Sequence, residues 1–247
     1  MQNGELKLAV LIDADNIPGR SIKAIMEEIA IYGTPTIKRI YGDFTKPELS
    51  GWRSEMLEVG ILPVQHFGYT VGKNSTDTAM IIDAMDILYG ENVDGFCIVS
   101  SDSDFTRLAL RLRESGVKVF GFGEKKTPQP FRVACDKFIY IEVLTGGESA
   151  VSAQTTRRKR TTGGGKVPKE TVDGILSTIH DIGDENGWVF LGELGNLLLK
   201  KQPDFDARNF GFRTLTPLVK SIPELEVDER DTNNPAIKHI YVRERMS

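Results

Sequence analysis

Leu8-Ala9-Val10-Leu11-Ile12-Asp13-Ala14-Asp15-Asn16 is an apolar run of five residues that ends in acids. A run so short and aliphatic reads as a strand buried on both faces, as in the middle of a parallel sheet. Ile37–Tyr41, Ile61–Gln65, Phe96–Val99 and Val117–Phe122 have a similar texture and are read the same way. Between these runs the period changes to that of a helix. Ile22, Ile25, Met26 and Ile29 fall on one helical face, and Leu108 and Leu112 on another. Asn74–Tyr89 is apolar nearly all round through Met80, Ile81, Ile82, Met85, Ile87 and Leu88, which predicts a deeply packed helix. Strands alternating with helices imply βαβ crossovers, so residues 1–144 are read as a Rossmann-like α/β domain of three layers around a parallel sheet.

The texture changes after residue 144. Residues 145–166 are rich in Gly, Ser and Thr, contain Arg157-Arg158-Lys159-Arg160, and lack apolar periodicity. Such a segment buries too little surface to fold alone and is read as a basic flexible linker. Val172, Ile175, Leu176 and Ile179 then mark one amphipathic helix, Leu194, Leu197 and Leu198 a second, and Phe210–Leu218 a third. Leu225–Val227 and Ile240–Val242 flank a polar loop, Asp228–Pro235. Three short helices and a hairpin predict a small winged helix-turn-helix domain over 167–247.

Composition bounds the function. Apolar residues at 40% and charged residues at 27% describe an ordinary globular protein. The net charge of −4 excludes a protein that coats nucleic acid by charge alone. Its basic excess is confined to residues 149–165, where Arg157, Arg158, Lys159 and Arg160 face no acid and offer contacts to phosphates. Cys97 and Cys135 are too few and too far apart for a disulfide framework or a zinc site, and buried thiols are expected. The longest apolar runs fall well short of the roughly 20 residues of a membrane span, and no signal segment is recognised at the N-terminus, so a cytoplasmic protein is expected.

The chemistry lies in the acids. Ligands of open parallel sheets bind beyond the carboxyl ends of the strands. Asp13 ends the first strand, Asp102 and Asp104 follow the fourth in Ser100-Ser101-Asp102-Ser103-Asp104, and Asp77 occupies the first turn of the helix that starts near the same edge. Like charges so crowded repel unless a cation lies among them. Carboxylate oxygens suit Mg²⁺ or Mn²⁺, ions that serve phosphoryl transfer, so Asp13, Asp77, Asp102 and Asp104 are the candidate metal ligands and catalytic residues of a phosphodiesterase. Lys73, just before the helix of Asp77, is placed to neutralise a phosphate. Asp83 and Asp86 are assigned to hydrogen bonding or solvent, because six residues at about 100° each turn Asp83 roughly 120° away from Asp77. His66 has no second histidine or cysteine nearby and is taken as structural.

Three motifs in order, Leu11-Ile12-Asp13-Ala14-Asp15-Asn16, Lys73-Asn74-Ser75-Thr76-Asp77 and Val99-Ser100-Ser101-Asp102-Ser103-Asp104-Phe105, resemble the NYN domain family in its LabA-like branch, over about residues 6–144. The resemblance implies a PIN-like fold and metal-dependent cleavage of RNA. By motif position it implies the acids Asp13, Asp77, Asp102 and Asp104, with Asn16 and Ser101 as supporting polar groups. The stretch Asp206-Ala207-Arg208-Asn209-Phe210-Gly211-Phe212-Arg213-Thr214-Leu215 is similar to the OST-HTH/LOTUS domain. That similarity implies an RNA-binding module, or in some relatives a protein-binding one, with Arg208, Arg213 and Lys220 as candidate contacts to RNA, single-stranded by expectation.

Two alternatives stay open at this level. Asp13-Ala14-Asp15-Asn16 also looks like the nucleophile motif of haloacid-dehalogenase-like phosphatases, in which Asp13 would form an aspartyl-phosphate. A non-catalytic RNA-binding adaptor that keeps the acidic pocket is the other.

Overall fold

A computed structural model describes residues 5–67, 75–90, 92–146, 167–231 and 238–245. The chain divides into two compact units, Met1–Ala150 and Val151–Ser247.

In the first unit the opening strand, β1 (Lys7–Asp13), is the sheet's centre. Every residue from Leu8 to Asp13 is buried. The chain then forms α1 (Ile22–Tyr32), β2 (Thr34–Gly42), α2 (Trp52–Val59), β3 (Leu62–Gln65) and α3 (Ser75–Gly90). Next come β4 (Gly95–Val99), α4 (Thr106–Glu114), β5 (Lys118–Gly123), α5 (Gln129–Ala134), β6 (Lys137–Tyr140) and α6 (Ile141–Leu144). All six strands are parallel, in the order β3-β2-β1-β4-β5-β6. The five expected strands are present, and β6 is a sixth that periodicity did not reveal.

Alternation along β1 feeds two cores. Leu8, Val10 and Ile12 pack with Ile22, Ile25 and Ile29 of α1 and Trp52 of α2. Ala9 and Leu11 pack with Met80, Ala84 and Ile87 of α3, Leu108 and Leu112 of α4, and Phe131 of α5. Each fully buried Ile or Leu here contributes about 1.5–3 kcal/mol, so the two-sided packing of β1 anchors the unit.

Two packing expectations are corrected. The α3 helix is not buried all round: Ile82 is 56% and Tyr89 70% exposed, because the helix lies on the outside of the sheet and only one face meets it. Strand β3 is not buried on both faces either. It lies at the sheet edge, with Leu62, Pro63 and Gln65 exposed.

The second unit consists of α7 (Lys169–Ile182), β7 (Val189–Phe190), α8 (Leu191–Lys201), α9 (Leu215–Lys220), β8 (Leu225–Asp231) and β9 (Lys238–Glu244). Its antiparallel sheet has the order β7-β9-β8 and packs on the helices through Ile175, Ile179, Leu194, Leu218 and Val242. The third helix is shorter than its apolar pattern implied. Ala207–Phe210 form a 3-10 turn and Gly211 is left-handed at φ 82°, which stops the turn before α9 begins. The strands in turn are longer, since Asp228–Asp231, read as loop, pair with Lys238–Tyr241. Among the described residues no helix is long and apolar enough to cross a membrane.

Candidate active site

The strand order creates the site. From β1 the chain builds outward to β2 and β3, then returns to β4 on the other side of β1 and builds outward again. The two crossovers leave in opposite directions from β1 and β4, so a crevice opens at their carboxyl ends. Asp13 and Ser100 stand on its floor, because the register sets Ile12 beside Val99.

Asp13 is 1% exposed. Its carboxylate accepts hydrogen bonds from Ser100 Oγ at 2.8 Å, Asn16 Nδ2 at 2.6 Å and the Asp15 amide at 3.2 Å. Burial raises its pKa above the ordinary carboxylate value, and the bonds from Ser100 and Asn16 oppose that rise. Ser100 Oγ also accepts the Asp102 amide at 3.0 Å, so one buried hydroxyl joins the two acid-bearing loops. Close backbone packing shapes this corner: a Cβ on Gly123 would lie 2.7 Å from the Ser100 carbonyl oxygen.

Above this floor, one carboxylate oxygen each of Asp77, Asp102 and Asp104 lies within 4.8 Å of the others. Asp102 caps the 3-10 turn Ser103–Phe105 by accepting the Asp104 amide at 2.9 Å. That bond turns Asp102 and Asp104 toward the same space, and Asp77 reaches it from the first turn of α3. Desolvation by burial pushes the pKa of Asp77 up to about 6, followed by the negative charges of Asp13, Asp102, Asp104 and Asp15. A half-buried set of oxygen donors under mutual repulsion fits a hard divalent cation.

Beside Asn16 opens a cleft of about 620 Å³, lined among others by Asp15, Asn16, Arg20, Trp52, Glu124 and Lys126. Asn16 therefore faces Asp13 on one side and the cleft on the other. Lys46, in the turn after β2, lies 3.8 Å from Asp15.

The structure thus gathers Asp77, Asp102 and Asp104 in one cluster and sets Asp13 beneath it, outside the 4.8 Å group. Asn16 supports Asp13 directly. Ser101 does not. It holds the Glu124 amide at 2.9 Å, and the hydroxyl that serves Asp13 is Ser100. Only the β1–β4 register separates the two serines, and no local pattern carries it. Asp83 accepts hydrogen bonds from Arg39 and Tyr41, away from the cluster. Lys73, Arg157, Arg158, Lys159 and Arg160 lie outside the described residues.

In the second unit Arg208 is held by Asp206, through Nη2 at 2.7 Å and Nε at 3.1 Å to both carboxylate oxygens. Lys220 pairs with Glu229. Arg213 is exposed and, among the described residues, forms no ion pair. Cys97 and Cys135 are buried free thiols whose pKa burial raises.

An uncharacterized protein of Methanocaldococcus jannaschii is 23% identical over 163 residues, 64% of this chain, and the match spans 63% of that relative's length. Among solved structures, a protein of unknown function from Vibrio parahaemolyticus is similar at 20% identity and a TM-score of 0.48, over 57% of this chain and 96% of that one. An uncharacterized protein from Nitrosomonas europaea is similar at 29% identity and a TM-score of 0.30, over 40% of this chain and 92% of that one. The OST-HTH/LOTUS domain model matches residues 166–237. The NYN domain model matches residues 7–142, more than half of the chain, and the protein belongs to the NYN domain family.

Proposed function

We propose that the protein is a metal-dependent endoribonuclease whose first unit cleaves RNA and whose second unit binds it. The clustering of Asp77, Asp102 and Asp104 within 4.8 Å, at the switch point of a parallel sheet, carries the reading. The NYN match supports a nuclease, and the OST-HTH match supports RNA as the polymer held.

Asp77, Asp102 and Asp104 would hold Mg²⁺ or Mn²⁺. Such an ion, when bound, polarises a phosphoryl oxygen and favours the ionised form of an attacking water. The protein's own groups arrange the rest. Asp13, anchored by Ser100 and Asn16, supplies a fixed negative charge beneath the cluster. Ser100 ties the Asp102 loop to Asp13, so the carboxylates hold their spacing before substrate arrives. The cleft beside Asn16 has room for a nucleotide.

A phosphatase with Asp13 as nucleophile is disfavoured, because that attack requires a carboxylate oxygen open to an incoming phosphate. Both oxygens of Asp13 accept hydrogen bonds, and the residue is buried. The test is the purified full chain on single-stranded RNA with Mg²⁺, Mn²⁺ or EDTA. Cleavage that needs the ion and leaves no phosphoenzyme supports the proposal. A trapped aspartyl-phosphate, or ion-independent or absent cleavage, overturns it.

A further inference from the structure

The three-stranded sheet of the second unit has two unlike faces. Val189, Leu225 and Val242 turn inward and are buried in the core. The register pairs Phe190 with Tyr241, Arg230 with His239, and Glu226 with Arg243. By strand alternation these side chains, with Trp188, form the opposite face. The outer face of an antiparallel sheet is ordinarily polar. This one carries aromatic rings and guanidinium groups instead.

The groups are in mutual contact. Phe190 lies 5.2 Å from His239 and 5.8 Å from Tyr241 between ring centroids. The Arg230 guanidinium stands 3.9 Å from the centroid of Tyr241 and 5.4 Å from that of Trp188, and Arg243 stands 4.5 Å from Trp188. Each arginine is steered by an acid: Arg230 Nε donates to Asp228 at 2.8 Å and Arg243 Nε donates to Glu226 at 2.9 Å. Those bonds hold the planar groups over the rings in advance, which lowers the ordering cost when a ligand lands. Arg230 and His239 are exposed, and Trp188, Phe190, Tyr241 and Arg243 are half-buried.

We infer that this face is a stacking platform for the unpaired bases of single-stranded RNA. The inference rests on the RNA-processing role proposed above and locates RNA contacts on the sheet, where guanidinium planes and aromatic rings lie together. Aromatic rings and guanidinium planes offer flat, polarisable surfaces that accept any base, and the two cations attract the flanking phosphates. In a duplex the base faces are stacked on one another and closed to such a surface. The occupant is therefore a single strand.

The experiment uses the full chain in EDTA, so that binding is read without turnover, and follows the anisotropy of a fluorescein-labelled single-stranded RNA oligomer. Tyr241→Leu, and Arg230→Lys combined with Arg243→Lys, are each expected to weaken binding at least about fivefold, since one stacked base is worth about that much. The lysine pair keeps both charges and loses only the planes. Affinity retained by the lysine pair would show a charge-only contact and overturn the platform. Unchanged binding by Tyr241→Leu with a native thermal melt would overturn it too, as would equal affinity of the protein for a duplex of the same length. If Tyr241→Leu proves unfolded, Arg230→Lys alone decides, because that side chain is exposed. A face that docks a peptide instead leaves RNA affinity unchanged in every variant. Turnover of the unmodified chain is measured separately with Mg²⁺ at saturating RNA. An unmodified chain that binds RNA but never cuts it would sink the nuclease reading and leave the platform standing.

Discussion

The buried Ser100 hydroxyl donates a 2.8 Å hydrogen bond to the carboxylate of Asp13. It joins the carboxyl ends of the two central strands and fixes the acid beneath the Asp77, Asp102 and Asp104 cluster.

Ser100→Ala removes that donor and also leaves the Asp102 amide without its acceptor. A loss of about 1–3 kcal/mol of stability is expected in urea unfolding. Weaker Mn²⁺ binding in calorimetry should accompany it, because the Asp102 loop loses its tether. An unaltered ion affinity would show that Ser100 serves the fold alone.

Asp77 gives a pH dependence. Its pKa of about 6 in the fold stands above the ordinary value of 3.8, so the folded state holds this proton over a pH range where the unfolded chain has released it. The stabilising contribution is fully present below the unfolded value and is lost as pH rises through about 6. In EDTA, Asp77→Asn should therefore raise the melting temperature at pH 7–8 and lose that advantage toward pH 4. Divalent-ion affinity of the unmodified protein should fall below pH 6 as Asp77 takes up its proton. Thermal melts and ion titrations across this range check both signs.

Asp83 and Asp102 should behave in opposite ways. Asp83→Ala strands Arg39 and the buried Tyr41 hydroxyl, at a cost of about 2–3 kcal/mol, yet should leave cleavage per folded molecule unchanged. Asp102→Asn keeps an oxygen to cap the Asp104 amide, so the fold should persist while cleavage drops about 100-fold or more. Asp13→Asn should lose activity and some stability, since its new amide meets the donors of Asn16 and Ser100. Denaturation curves beside single-turnover rates separate these outcomes.

Removing residues 149–247 should raise the KM for RNA more than it lowers kcat, because contacts remote from the scissile bond add uniform binding. Replacing Arg157, Arg158, Lys159 and Arg160 with alanine should flatten the salt dependence of binding, by roughly 0.7 in log–log slope for each phosphate that is no longer neutralised. An unchanged slope would mean that the basic segment does not touch RNA.

Much of the architecture was legible from local pattern. Strand and helix periods are written into neighbouring residues, so the alternation from Leu8 to Phe122 and the placement of Asp13, Asp77, Asp102 and Asp104 near one edge followed from spacing along the chain. Lys137–Tyr140 escaped because a four-residue strand shows barely two repeats of a two-residue period. In the second unit, Arg208 was readable as a cation but not as the partner of Asp206.

The amino-acid sequence by itself determined the α/β order, the break between the units and the position of the four acids proposed to carry the chemistry, because each depends on composition and spacing along the chain. Tertiary structure alone decided that Ser100 rather than Ser101 holds Asp13, that Asp83 serves Arg39 and Tyr41, and that Arg230 and Arg243 lie over Tyr241 and Trp188. Those relationships are set by strand register and by which face of a helix or sheet meets the core. A shift of one residue in register reverses every side chain on a strand, and no local spacing encodes that choice.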